Sequence, residues 1–204
     1  MNITYDPKEM ANVTKSRESF SGRMLTDPQF DEAMAITGII EREINKTGKF
    51  KEKLGDYSYA FARSEKFDVM KAETIIRDLF KERTGMTMNQ MREALVKREE
   101  DLTDTQKRGA HIHAVEVGRM IQEGNKMPFH RAYAHQAKEL AIELNITETG
   151  AKKLMKEEFK NIEGKELYEV GKALEEKYYR PQIEAEKQQR QSERSQEKSY
   201  QRAR

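Results

Sequence analysis

The pair His111-Ile-His113 is the first candidate for chemistry in this 204-residue chain. On a strand, imidazoles two residues apart point to one face and can share a metal ion. Residues 110–117 do alternate in part, but they lie inside a helical pattern opened by the capping-box residues Thr103 and Gln106. On a helix, positions two apart diverge by about 200°. A helical chelate needs i, i+4 spacing, and His130 and His135 are five apart. The histidines therefore read as surface or half-buried side chains, with no metal and no cofactor expected. Nucleophile motifs are missing too: there is no GxSxG elbow, Walker A loop, GxGxxG turn or DxDxDG calcium loop. Adjacent carboxylates such as Glu157-Glu158 and Glu175-Glu176 have lysines at helical spacing, the pattern of a solvated face laced with ion pairs. The expectation is a non-enzymatic protein. An enzyme built from acids that converge only in space stays open.

Two stretches point to binding instead. Residues 139–155 run Glu-Leu-Ala-Ile-Glu-Leu-Asn-Ile-Thr-Glu-Thr-Gly-Ala-Lys-Lys-Leu-Met. This segment resembles the helix-turn-helix of bacterial regulators. Ala141 falls at the helix crossing, Asn145 and Ile146 in the turn, Thr147 at the cap, and Ala151 where a larger apolar residue is usual. The resemblance implies that Thr149, Lys152, Lys153 and Lys156 contact DNA. The alternative is ordinary helix packing. The tail carries Arg190, Arg194, then Arg202-x-Arg204. That spacing resembles the arginine-spaced C-terminal translocation signal of type IV secretion substrates. It implies recognition by a secretion coupling protein and says nothing of the body; a generic basic tail is the other reading. The HxH pair is also similar to the metal motif of relaxases, which would imply a metal-dependent nuclease, but relaxases need a sheet and no strand pattern stands out.

The elements that must position these residues are helices. Thr26-Asp27-Pro28 is a cap followed by a first-turn proline. Phe30, Ala33, Ile36, Thr37, Ile40 and Ile44 then form one apolar stripe that stops near Gly48. Further helices are predicted over 50–63, over Val69 to Thr84, and from Met88. In the second half they run from Thr103 to Glu123, from Pro128 to Leu144, through Ala151 to Phe159, and from Glu166 toward Pro181, which should kink or break the last one. Met70, Phe80, Met88, Met91, Phe159 and Tyr168 lie mostly on these stripes and read as core. Shifted by 79 residues, Phe80-Lys81 meets Phe159-Lys160 and Gly85 meets Gly164; shifted by 76, Gly48 meets Gly124 and Tyr57 meets Tyr133. Internal duplication and shared helical periodicity both explain such pairs.

The expectation is an all-α fold. Residues 1–25 form an N-terminal segment, 26–101 and 102–183 two tandem helical units, and 184–204 a polar tail, helical or disordered. Composition narrows the classes further. No run approaches the about 18 apolar residues of a membrane span, no apolar stretch follows Met1, and cysteine is absent. The net charge of +2 hides an asymmetry: residues 187–204 hold six basic side chains against two acidic ones. The basic excess thus belongs to the tail, which weakens DNA reading by the body. Together with the absence of catalytic motifs, the tail's resemblance to a type IV secretion signal implies a cytoplasmic helical accessory or effector protein of a conjugation or type IV secretion system, able to pass into a recipient or host cell. Its helical faces would bind a protein partner, a coupling protein or a host or plasmid factor, with DNA as a further candidate.

Overall fold

A computed structural model describes residues 7–123 and 127–202, with side chains over 13–123 and 127–194. The described residues contain helices and no strand. The chain divides into two compact units, Met1–Asp101 and Leu102–Arg204. The first contains α1 (Pro7–Glu18), α2 (Phe20–Arg23), α3 (Asp27–Thr47), α4 (Lys51–Glu65), α5 (Val69–Thr84) and α6 (Met88–Glu100). The second contains α7 (Asp104–Gln122), α8 (Phe129–Leu144), α9 (Glu148–Glu163), α10 (Leu167–Leu174), a π-helical turn Glu175–Tyr179, and α11 (Arg180–Arg202).

Local chemistry sets the bounds. Thr87 and Thr103 each accept a hydrogen bond from an amide three residues on, while the side-chain carbonyl of Gln90 or Gln106 reaches back to the cap amide. Asp68 caps α5 through the amides of Met70 and Lys71, and Thr147 caps α9 through Gly150. Gly85 and Gly164 end α5 and α9 at φ 75° and 67°, where a Cβ would be strained. Lys66 and Asn145 hold the same left-handed conformation after α4 and α8, at φ 58° and 53°.

In the first unit α3, α4 and α5 pack mutually, and α6 closes on α3 and α5. Its core centres on Ile40, Ile44, Phe61, Ile76, Leu79 and Phe80. Ahead of Thr26, α1 and α2 pack on α5. Leu25, Ser16 and Ser21 are buried there, and Ser21 donates to Asp78 at 2.9 Å. In the second unit α7, α8 and α9 pack mutually and α10 closes on all three. Val117, Ile121, Leu140 and Met155 lie at its centre.

The helix bounds of the two units coincide in register. Displaced by 79 residues, Val69–Thr84 falls on Glu148–Glu163, and buried Ala72, Ile75, Ile76 and Phe80 fall on buried Ala151, Leu154, Met155 and Phe159. Phe61 and Ala62 fall likewise on Leu140 and Ala141. Buried Ala33, Thr37, Ile40 and Ile44 reach Ala110, Ala114, Val117 and Ile121 at a displacement of 77. The sequence pairing at 76 is therefore off the core register, and Gly124 in it lies outside the described residues. The links α4–α5, α5–α6, α8–α9 and α9–α10 are each three residues long, and similar helix lengths joined by such links produce this coincidence with or without a common ancestor.

The chain does not break at Pro181. It runs helically from Leu167 to Arg202, with the π turn immediately ahead of the proline. The tail is helical over its described length. Two expected core residues face water: Met70 and Tyr168 are 79% and 58% exposed. Their stripes are wider in sequence than the surface that the neighbouring helices cover.

Candidate functional site

The second unit places three pairs of side chains, each one helical turn apart, around one groove. They are Phe129 and Tyr133 on α8, Lys152 and Lys156 on α9, and Tyr168 and Lys172 on α10. Residues at i and i+4 share a helix face, so each helix contributes a two-residue strip. The groove encloses about 390 Å³ and is also lined by exposed His130; no carboxylate side chain is among its lining residues.

Its floor is aromatic and tightly held. Phe129 stacks on Tyr133 with centroids 5.6 Å apart, and meets the Tyr168 ring edge-on at 5.6 Å. Gly171 makes this possible: a Cβ there would run into the Phe129 ring. The Phe129 amide, one of the unpaired donors at the start of α8, donates to Glu175 Oε2 at 3.1 Å. Lys172 Nζ donates to the same oxygen at 3.1 Å. Burial pushes the Glu175 carboxyl up, but the Lys172 ammonium, the Phe129 amide and the Arg180 charge together outweigh it and hold the group below the usual carboxylate range. Tyr133 donates its hydroxyl to the Lys152 carbonyl at 2.7 Å. Burial raises its pKa well above the usual phenol value, so the ring stays neutral.

The rim is cationic. Lys156 Nζ lies 5.8 Å from the Tyr133 centroid and Lys172 Nζ 6.0 Å from that of Tyr168. Lys172 is tied to Glu175, whereas Lys152 and Lys156 have no ion-pair partner among the described residues. The arrangement offers ring faces beside ammonium groups, a combination suited to flat, anionic ligands.

Of the residues expected at a DNA contact, Thr149, Lys153 and Lys156 are exposed on α9 and Lys152 is half-buried. Lys152 and Lys156 join the groove; Lys153 instead approaches Glu157 at 3.8 Å, and Thr149 does not line it. Tyr133, Tyr168 and Lys172 escaped the sequence reading. The recurring i, i+4 aromatic and lysine pairs were the available signal, hidden because Tyr168 was assigned to an apolar stripe.

The histidines go elsewhere. His111 Nε2 lies 2.9 Å from Glu163 Oε1 and its ring stacks on Phe159 at 6.0 Å. His113 meets Gln136 and Glu143 on α8. One thus reaches toward α9 and the other toward α8. In the tail, Arg190 and Arg194 are exposed on α11; Arg202 is described only as the last residue of that helix, and Arg204 lies outside the described residues. Among the described residues no helix is long and apolar enough to cross a membrane.

No protein-family model, curated protein or solved structure matches the chain.

Proposed function

We propose that the protein is a non-enzymatic helical accessory or effector protein of a conjugation or type IV secretion system. It acts by binding, with the C-terminal helix as its transport signal. The observation that supports this most is the character of α11. Among the described residues no helix other than the π turn packs extensively on it, and every residue from Lys187 to Arg194 is exposed. Lys187, Arg190 and Arg194 follow one another at steps of three and four, which gathers them on one helix face. The same spacing continues in the sequence to Lys198 and Arg202. Such a cationic stripe, standing clear of the core, is complementary to an acidic face on a coupling protein. The protein would be made in the cytoplasm of the producing cell and passed to a recipient or host cell.

The test is transfer of a reporter fusion through a type IV apparatus, comparing the full chain with one lacking residues 185–204. Loss of transfer with an unchanged melting curve is expected. Undiminished transfer of the shortened chain would refute the transport role.

One observation favours a second reading, DNA binding through 139–156: on the helix after the turn Thr149, Lys153 and Lys156 are exposed and Lys152 is half-buried at their edge. Replacing Lys152 and Lys153 by Ala should then weaken duplex binding and flatten its salt dependence.

A further inference from the structure

We propose that the groove between α8, α9 and α10 is a binding site for single-stranded nucleic acid, with an unpaired base on Tyr168 and the phosphates on Lys152, Lys156 and Lys172. It shares Lys152 and Lys156 with the helix-turn-helix reading but is a distinct alternative to it, and it does not depend on the transport role. Three observations carry it. The first is an accessible ring: Tyr168 is 58% exposed while its T-shaped partner Phe129 is buried. A largely exposed aromatic braced by a buried ring and bordered by the Lys172 ammonium is a stacking platform, and every base has a face that fits one. The second is the charge pattern, with three ammonium groups and no carboxylate side chain in the lining. Two of the three have no ion-pair partner among the described residues, so a phosphate meets them without displacing a carboxylate. The third is shape. The rings line a concave groove of about 390 Å³, within the size range of ligand sites. Duplex DNA keeps its base faces stacked inside, whereas a single strand can turn one into the groove.

The helical architecture does not demand this set. At positions displaced by 79, the first unit carries Leu54, Glu73, Arg77, Asn89 and Glu93 where the second has Tyr133, Lys152, Lys156, Tyr168 and Lys172.

The experiment is fluorescence anisotropy on the full chain, with a short labelled oligothymidine and a blunt duplex of the same length at low salt. The single strand should bind more tightly than the duplex. Tyr168→Ala, at an exposed position that leaves the core intact, should weaken it about tenfold, while Tyr168→Phe retains affinity. Lys152→Ala with Lys156→Ala should lower the log–log salt slope by about 0.7 per lysine. Lys153→Ala, outside the groove, should leave single-strand affinity unchanged. No binding of oligothymidine would overturn the proposal. So would tighter duplex binding indifferent to Tyr168→Ala but sensitive to Lys153→Ala, which would support the helix-turn-helix reading instead. Equal competition by polyglutamate, again indifferent to Tyr168→Ala, would mark a purely electrostatic surface and overturn it as well.

Discussion

The α4–α5–α6 face of the first unit and the α8–α9–α10 face of the second rest on the same pattern of buried positions, yet their outer chemistry differs. In the first unit Glu73 and Arg77 satisfy each other at 2.7 Å across one helical turn. The corresponding pair in the second is Lys152 and Lys156, two like charges on one helix face, a spacing that costs a few tenths of a kcal/mol in an isolated helix. Asn89 gives way to a solvent-facing tyrosine, and Glu93 to a lysine. A face that neutralises itself has little to offer a charged partner, whereas the second face keeps two like charges beside one exposed ring. The units also differ around the equivalent pair Phe80 and Phe159. In the first, an Arg83–Glu41 ion pair covers the face between α3 and α5. In the second, Ile162 stands where Arg83 would and Gly118 where Glu41 would. An apolar groove of about 300 Å³ opens there between α7, α9 and α10, with Phe159 in its wall.

The largest effect should come from that pair of phenylalanines. Phe80→Ala removes a fully buried ring and should cost about 4 kcal/mol, while Phe159→Ala should fall at the low end of the about 3–5 kcal/mol range for such changes. Urea titrations give the totals, and hydrogen exchange shows which unit loses protection. Equal losses would mean that the open groove is no weakness. Next is Glu175→Gln, with no counterpart in the first unit. It weakens two charge-assisted contacts and should cost about 1.5–3 kcal/mol at neutral pH. Because the folded carboxyl is held low, its contribution is complete above the unfolded-state carboxylate pKa and disappears as pH falls through the lower folded value. The unfolding free energy of the unaltered protein should therefore fall more steeply than that of the variant over that acidic interval. The smallest difference concerns helix starts. Thr87 caps α6 in a reciprocal box with Gln90, whereas α10 starts at Glu166 without a side-chain cap. Thr87→Ala should cost about 1 kcal/mol, and Glu166→Ala, at an exposed position, no more than about 0.5 kcal/mol. Melting temperatures that dropped alike would erase the distinction.

Helix bounds were legible because they are written in local chemistry: Thr26 and Thr103 at starts, Gly85 and Gly164 at ends, and apolar residues at steps of three and four between. The groove was half legible. Lys152 and Lys156 could be found as a cationic turn on α9, but Tyr133 lies 19 residues before Lys152 and Lys172 lies 16 after Lys156, and only packing of α8 and α10 on α9 unites them. Tyr168 was misplaced because periodicity reports which side of a helix is apolar, not where the neighbouring helices stop covering it. The packing of α1 and α2 on α5 was hidden for a related reason: short, polar segments carry no stripe, and their burial depends on small residues such as Ser16, Ser21 and Gly22.

The π turn at Glu175–Tyr179 has a consequence for the tail. Arg180 donates its amide to the Glu175 carbonyl, five residues back instead of four, which widens the coil just where the Pro181 ring would otherwise crowd the Lys177 carbonyl. One extra residue in a turn advances the phase of everything after it by about 100°. The azimuth of the basic stripe on α11 is thus set at the core, by five residues anchored through Glu175 to the start of α8. From there the helix carries that azimuth outward over about 35 Å. Removing a single residue from the turn would leave every arginine in place along the axis and point the whole stripe in another direction.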